Sequence, residues 1–377
     1  MAAPKRLYII AGEASGDLHG GNLVAALKAK DPSLQIRAWG GDRMAAEGAE
    51  VVKHYRDLAF MGFTQVVMNL RTILRNMEAC KADILAYKPD ALILIDYPGF
   101  NLRIAEFAHA KGIRVFYYIS PQVWAWKAGR VKTIKRVVER MFVILPFEQE
   151  WYAERGMEVE FVGHPLLDEL ARTGITASHA DEGSSIALLP GSRRQEVTRM
   201  LPAMLAAAAR FPEERFVVAA APSLPEAFYR GLIGDARVEL VQGRTYDVLR
   251  EAKAALVTSG TATLETALIG VPEAVCYSGG AINVWLAKRF IRVPFISLVN
   301  LIMGREVVRE LIQRDLNAKA LSAELRRLLA DKSYRERMLA DLSDLRGKLG
   351  GPGASARVAD RVWKSLQEVP KAAAGRG

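Results

Sequence analysis

The sequence predicts an α/β protein built from two doubly wound domains, and three observations carry that prediction. Short β-branched apolar runs alternate with longer amphipathic stretches, the rhythm of βαβ units around parallel sheets. The rhythm breaks at residues 168–184 (DELARTGITASHADEGS), which are polar, rich in small residues and without sustained period, as expected of a linker. It then restarts, and in both halves turns bearing glycine or a carboxylate follow several of the strand-like runs.

In chain order, the first half offers strands at RLYIIA (6–11), IRAW (36–39), ALILI (91–95), RVFYYI (114–119), MFVIL (141–145) and EFVG (160–163). The second offers SIALL (185–189), RFVVAA (215–220), VELV (238–241), AALVT (254–258) and EAVCY (273–277). After GKLGGPGAS (347–355), ARVADRVWKSLQEV reads as a terminal helix and KAAAGRG as a frayed tail. The 377 residues, half of them apolar, suffice for two cores. Two such domains facing each other place a cleft outside the carboxyl ends of both sheets, where open α/β folds bind ligands. Residues at strand ends therefore matter most.

Composition narrows the function. The apolar run in MAAPKRLYIIAGEASGD is too short for a signal peptide or a membrane span, so the chain reads as cytoplasmic. Cys80 and Cys276 lie far apart in apolar segments, which gives no disulfide framework and no cysteine metal site. A net charge of +10, from 52 Lys+Arg against 42 Asp+Glu, favours an anionic partner. No zinc-finger spacing or aromatic-plus-basic RNA signature accompanies it, so nucleic acid is not the expected partner.

Four strand ends carry the chemistry. In AGEASGDLHGG (11–21), glycines let the backbone turn tightly and approach a ligand before a helix begins. The bland alternative is a strand–helix turn capped by Ser15 or Asp17. ALILIDYPGFN ends an apolar strand in Asp96, placed either to accept a hydroxyl proton as general base or merely to cap the turn at Pro98–Gly99. LLPGSRRQEV (188–197) sets Gly191, Ser192 and Arg193 between strand and helix, a diphosphate-type cradle without Walker spacing. In VTSGTATLETALIGVP (257–272), Ser259, Gly260 and Thr261 open a helix with Glu265 one turn inside, either a second phosphate turn or a Thr261 cap near a capping-box partner.

Two segments of the first half suggest a membrane surface. YISPQVWAWKAGRVKTIKRVVER (118–140) joins tryptophans to Lys127, Arg130, Lys132, Lys135, Arg136 and Arg140; such a run is usually a solvated face, but indoles beside it favour an anionic lipid. In DLAFMGFTQVVMNLRTILRNM (57–77), Phe60, Met61, Phe63, Val66, Val67, Leu70, Ile73 and Leu74 spread wider than one helical face needs. Most such stripes are core; here some can meet acyl chains.

Taken in order, AGEASGD, LIDYPGFN, YISPQVWAWK, LPFE, FVGHPLLDE, LPGSRRQE, SGTATLE and SLVNLIMGREVVRELIQ closely resemble the lipid A disaccharide synthase family across nearly the whole chain. The resemblance implies a GT-B type fold of two Rossmann-like domains: an acceptor domain over 1–167, to which a helix at about 354–370 returns, a linker at 168–184, and a UDP-sugar domain over 185–346. It implies an inverting glycosyltransferase that joins a UDP-2,3-diacylglucosamine donor to a 2,3-diacylglucosamine 1-phosphate acceptor. Asp96 matches the family's general base, with Glu13, Ser15 and Gly16 on the acceptor side. Gly191, Ser192, Arg193 and the Ser259–Thr261 turn would face the diphosphate and Glu265 the ribose. Asn300, Arg305, Glu306 and Gln313 match a further patch near the donor. No metal or other cofactor is expected, since the chain contains no Asp-x-Asp of the metal-dependent transferases. The acylated substrates imply peripheral attachment to the cytoplasmic face of the inner membrane, and family members of known structure can form homodimers by exchanging C-terminal segments.

One departure stands out: many relatives carry a basic residue after the strand EAVCY, whereas this chain reads Ser278–Gly279–Gly280. Alternatives are a cell-wall N-acetylglucosamine transferase, a UDP-sugar 2-epimerase, or a non-catalytic binder of the same fold. LIDYPGFN and SPQVWAWK argue against the first two, and Asp96 with Arg193 against the third.

Overall fold

The computed structural model describes residues 4–58, 70–126, 128–175, 183–280 and 294–368. The chain divides into two compact units, Met1–Asp168 with Gly350–Gly377, and Glu169–Leu349. The expectations for Phe60, Met61, Phe63, Val66, Val67, Lys127 and the terminal tail lie outside the described residues, as does the side chain of Leu70.

The first unit holds a seven-stranded sheet in the order β3-β2-β1-β4-β5-β6-β7. Its strands are β1 (Arg6–Ala11), β2 (Gln35–Gly40), β3 (Glu50–His54), β4 (Ala91–Ile95), β5 (Arg114–Tyr118), β6 (Arg140–Val143) and β7 (Glu160–Phe161). All pairings are parallel. The central strands β1, β4 and β5 read as nearly unbroken apolar runs because both faces are covered. Tyr8, Ile10, Leu92, Leu94, Val115 and Tyr117 enter one core, while Leu7, Ile9, Ile93, Ile95, Phe116 and Tyr118 enter the other.

The terminal helix Ala354–Gln367 belongs to this unit and buries Val358, Ala359, Val362 and Leu366 in the second core. Its start is satisfied from elsewhere in the chain. The Asp168 carboxylate accepts the N–H groups of Gly353 (2.5 Å), Ala354 (3.1 Å) and Ser355 (3.0 Å), supplying the anion a helix N-terminus favours.

The second unit repeats the plan with six parallel strands in the order β10-β9-β8-β11-β12-β13. These are β8 (Ser185–Leu189), β9 (Phe216–Ala220), β10 (Glu239–Gln242), β11 (Ala252–Thr258), β12 (Glu273–Tyr277) and β13 (Arg309–Ile312). Two strands, β3 and β13, escaped the sequence reading. Both lie at sheet edges, where polar residues such as Glu50, Lys53, Arg309 and Glu310 break the apolar run that marks the central strands.

In each sheet the winding reverses once. The reversal falls between β1 and β4 in the first and between β8 and β11 in the second, and such switch points are where open α/β sheets bind ligands. Ala11 pairs with Ile95 and Leu189 with Val257, so the loops leaving each pair of strands start level with one another.

Candidate functional site

At the first switch point the two loops begin at Gly12 and Asp96. The Tyr97 ring lies over Gly12, where a Cβ would stand 2.4 Å from the ring's Cγ; glycine is required for this approach. Glu13 then occupies the cap position of helix Ala14–Lys30 without capping it through its side chain. Ser15 is exposed and Gly16 buried in the first turn.

The capping alternative for this loop fails. Asp17 is buried, and its carboxylate accepts the N–H groups of Gly41 (2.7 Å), Arg43 (3.1 Å) and Met44 (3.2 Å), so it caps the short helix Asp42–Ala46 rather than its own.

Asp96 is partly buried at the end of β4. Burial pushes its carboxyl up to about 6, the nearby Glu13 charge adds to the shift, and the Tyr97 N–H opposes it. The helix Pro98–Ala110 has Tyr97, not Asp96, at its cap position and no side-chain cap. Asp96 is therefore not spent on the turn, and a carboxyl poised near neutrality can take a proton from a hydroxyl.

Sequence reasoning missed the groups behind this loop. Asn101 Nδ2 lies 2.7 Å from the Asp96 carbonyl oxygen, and the Tyr117 hydroxyl donates to the same oxygen at 2.6 Å. Both side chains are fully buried. Asn101 stands inside the LIDYPGFN run, and Tyr117 is inward-facing in β5, so each reads from sequence as ordinary packing.

Beside it, the SPQVWAW segment is held by buried Glu148, which accepts from Trp124 Nε1 (3.2 Å) and from the N–H groups of Ile144 (3.2 Å) and Leu145 (3.0 Å). Burial raises Glu148 to about 7 against these donors. The basic helix Val131–Val137 buries Val131, Ile134 and Val137 and exposes Lys132, Lys135 and Arg136, of which Arg136 pairs with Glu106 at 2.8 Å. Leu74 is 50% exposed, whereas Met77 is buried. No described helix is long and apolar enough to cross a membrane.

The second switch point is built from different groups. Gly191 has φ 107°, in the left-handed region, and a Cβ there would lie 2.7 Å from Glu196 Oε2. That oxygen accepts the N–H groups of Ser192 and Arg193, each at 3.2 Å, and Glu196 Oε1 accepts from Arg193 Nη1 at 3.1 Å. The backbone seat that the sequence assigns to phosphate thus holds the protein's own carboxylate, while the Arg193 side chain remains largely exposed.

After β11, helix Thr261–Ile269 starts at Gly260 with no side-chain cap. Thr261 is exposed, and Ser259 Oγ donates to the Ile296 carbonyl at 3.2 Å. Glu265 makes no capping box: it accepts from the Tyr246 hydroxyl at 2.8 Å, and burial, then the Glu169 charge, raise its carboxyl above the usual range.

The remaining patch divides. Asn300 is fully buried and its amide is spent internally: Oδ1 accepts the N–H groups of Val307 (2.7 Å) and Val308 (3.0 Å), and Nδ2 donates to the Val308 carbonyl (2.8 Å) and Glu310 (2.9 Å). In this geometry it shapes the loop and has nothing left for a ligand. Arg305 pairs with Asp341 at 2.5 Å and Glu306 with Arg309 at 3.1 Å. Gln313, in contrast, has φ 56° and a buried Nε2 with no hydrogen-bond partner among the described residues.

At the departure point the exposed Arg199 guanidinium reaches Gly280, where a Cβ would lie 3.4 Å from Nη2. Among the described residues no group of three or more His, Cys, Asp or Glu could hold a metal ion.

Comparison with known proteins identifies the chain. The family model described as Lipid-A-disaccharide synthetase matches residues 7–352. The lipid-A-disaccharide synthase of Syntrophus aciditrophicus is 44% identical over 368 residues, covering 94% of this chain and 96% of the relative. That of Myxococcus xanthus is 39% identical over 378 residues, covering 97% and 99%.

Among solved structures, the UDP-GlcNAc 2-epimerase of Neisseria meningitidis bound to UDP-GlcNAc is similar at TM-score 0.65 and 12% identity, covering 95% of this chain and 100% of that one. A calicheamicin glycosyltransferase is similar at TM-score 0.63 and 18% identity, covering 98% and 100%. At these identities the structures show the fold alone, which is the GT-B type with two Rossmann-like domains. By family model and relatives together, the chain belongs to the lipid-A-disaccharide synthase family and is a glycosyltransferase, specifically a hexosyltransferase, of lipid A biosynthesis.

Proposed function

We propose that the protein joins UDP-2,3-diacylglucosamine to 2,3-diacylglucosamine 1-phosphate, forming the β-1,6-linked disaccharide 1-phosphate and UDP. Membership of the lipid-A-disaccharide synthase family supports these substrates, and the observation that carries the chemistry is Asp96, a partly buried carboxyl at a switch point, raised to about 6 by burial with the Glu13 charge adding to it. Its carboxylate takes the proton of the acceptor's 6-hydroxyl as that oxygen bonds the donor's anomeric carbon. The bond from that carbon to the diphosphate oxygen breaks, and its electron pair leaves on UDP. Attack opposite the leaving group inverts the centre and asks for one carboxylate.

The first unit takes the acceptor, along Glu13, Ser15 and Gly16, and the second takes the donor. Charge growing on the leaving UDP is met by Arg193, by the helix start at Ser259, Gly260 and Thr261, and by Arg199, which supplies from a neighbouring helix the cation that Ser278–Gly279–Gly280 lack. Glu265 holds the ribose hydroxyls, and Gln313 Nε2, which has no partner among the described residues, donates to the donor. Asn300 shapes that side through Val307 and Val308 rather than by touching it, with Arg305 and Glu306 at its rim. Lys132, Lys135 and the exposed Leu74 face anionic lipid at the cytoplasmic side of the inner membrane.

The test is direct. Purified protein, given both lipid substrates dispersed in detergent, should release UDP and form the disaccharide 1-phosphate. No product, with a known family member active in the same mixture, would falsify the substrate assignment.

A further inference from the structure

The backbone around Asp96 is under strain. After the fully buried β4, the chain turns through two consecutive non-glycine residues in the left-handed region, Asp96 at φ 44° and Tyr97 at φ 51°. L-residues visit this region reluctantly, and such a corner persists only where its surroundings over-determine it.

What over-determines it converges on one atom, the Asp96 carbonyl oxygen. Tyr117 donates to it through its hydroxyl at 2.6 Å and Asn101 through Nδ2 at 2.7 Å. The same Nδ2 stands 3.2 Å from the Ile95 carbonyl and 3.5 Å from that of Ile10, so one amide spans the switch point from β4 to β1. From the other side, the Asp96 N–H donates to the Tyr118 carbonyl at 3.2 Å, and the Asn101 N–H to that of Tyr97 at 3.0 Å.

This arrangement is not the cheapest way to fill the space. Turning the Asn101 amide toward three carbonyls leaves its Oδ1 buried without a hydrogen-bond partner among the described residues, and a buried polar atom without a partner opposes folding. The amide fixes the peptide from which the Asp96 carboxyl projects.

We propose that Asn101 and Tyr117 are positioning residues for Asp96, clamping its carbonyl oxygen so that the strained corner aims the carboxyl at the acceptor hydroxyl. The inference rests on Asp96 being the general base. Neither residue touches substrate. Both act through the backbone of the residue that does, and displacing a reacting group by about 1 Å can cost on the order of a hundredfold in rate.

The experiment is a double-mutant cycle on the full chain with Tyr117→Phe, which removes one oxygen from the core, in the wild-type and Asp96→Asn backgrounds. We expect Tyr117→Phe to lower kcat by roughly ten- to a hundredfold in the wild type with both KM values within about twofold. In the Asp96→Asn background it should cost less than about twofold, because residues acting as a unit are non-additive. Equal losses in both backgrounds, or no loss in the wild type, overturn the inference and leave Asp96 as base untouched. Full turnover in Asp96→Asn alone instead overturns the base assignment, and this inference with it. Asn101→Leu, of similar size, should follow the same pattern; since it can also disturb folding, its kcat is read only per folded molecule by thermal melting, and Tyr117→Phe decides.

Discussion

The two switch points share a topology and differ in charge. Both units wind three strands one way and then resume on the other side of the first, and both place loops at the carboxyl ends of the two strands flanking the reversal. In the first unit those loops bring Glu13 toward Asp96, and burial, with the Glu13 charge adding to it, raises the Asp96 carboxyl. In the second they bring backbone N–H groups and Arg193, with Arg199 close by. The fold supplies two equivalent places, and on the proposed function the residues placed there divide a transfer reaction between them: a carboxylate for the incoming hydroxyl in the first, fixed positive potential for a departing diphosphate in the second.

That contrast is broken most severely by Asp96→Asn, which preserves shape and removes the base. Turnover should fall by roughly a hundred- to ten-thousandfold, while UDP binding, measured calorimetrically, stays unchanged. A loss of UDP affinity would mean that the two units do not divide the work. Arg193→Ala is the counterpart on the other side: kcat/KM for the donor should fall by about a hundredfold and UDP affinity with it. Binding of a soluble acceptor analogue should be untouched, and weaker acceptor binding would contradict the division.

Sequence revealed the switch-point residues better than their supports, for a physical reason. Central strands such as Ala91–Ile95 and Ser185–Leu189 are apolar on both faces and announce themselves, and the turns that follow carry glycines and charges that interrupt the apolar run. Edge strands β3 and β13 look like loops because solvent accepts their polar residues. The support groups were hidden differently. Tyr117, Tyr246 and Glu148 act across large sequence separations, as in the Tyr246–Glu265 bond, and no local period reports a partner that the fold alone brings near. Asn300 was legible as important but not as structural: its four internal bonds become visible only when the loop 297–310 is closed around it.

Glu13→Gln makes a smaller change and sharpens the first switch point. Asp96 must be ionised to act, so activity should rise with pH through about 6, the position set by burial and the Glu13 charge. Removing that charge lowers the Asp96 pKa, so the acid limb of the pH–rate profile moves to lower pH and the variant gains on the wild type below pH 6. Burial is the larger cause and persists, so the limb should not fall all the way to the ordinary carboxylate range. An unmoved limb would show that Asp96 is not the group being titrated.

The smallest expected effect tests the one place where the second switch point departs from its expected role. Glu196 occupies the N–H groups of Ser192 and Arg193 that a diphosphate would otherwise take. Glu196→Gln keeps an acceptor oxygen and the side chain's length but removes the charge. An anion at a helix N-terminus is worth roughly 0.3–1 kcal/mol, and the largely exposed ion pair with Arg193 about as little, so the fold should lose no more than about 1–2 kcal/mol. If the carboxylate competes with the donor for this seat, relieving that competition should tighten UDP binding by about two- to fivefold, the same 0.3–1 kcal/mol expressed as affinity. Weaker binding would mean the reverse, that Glu196 helps the donor by holding Arg193 in place, and the phosphate contacts would then belong to the Ser259–Thr261 turn with Arg193 and Arg199 rather than to the backbone of Ser192.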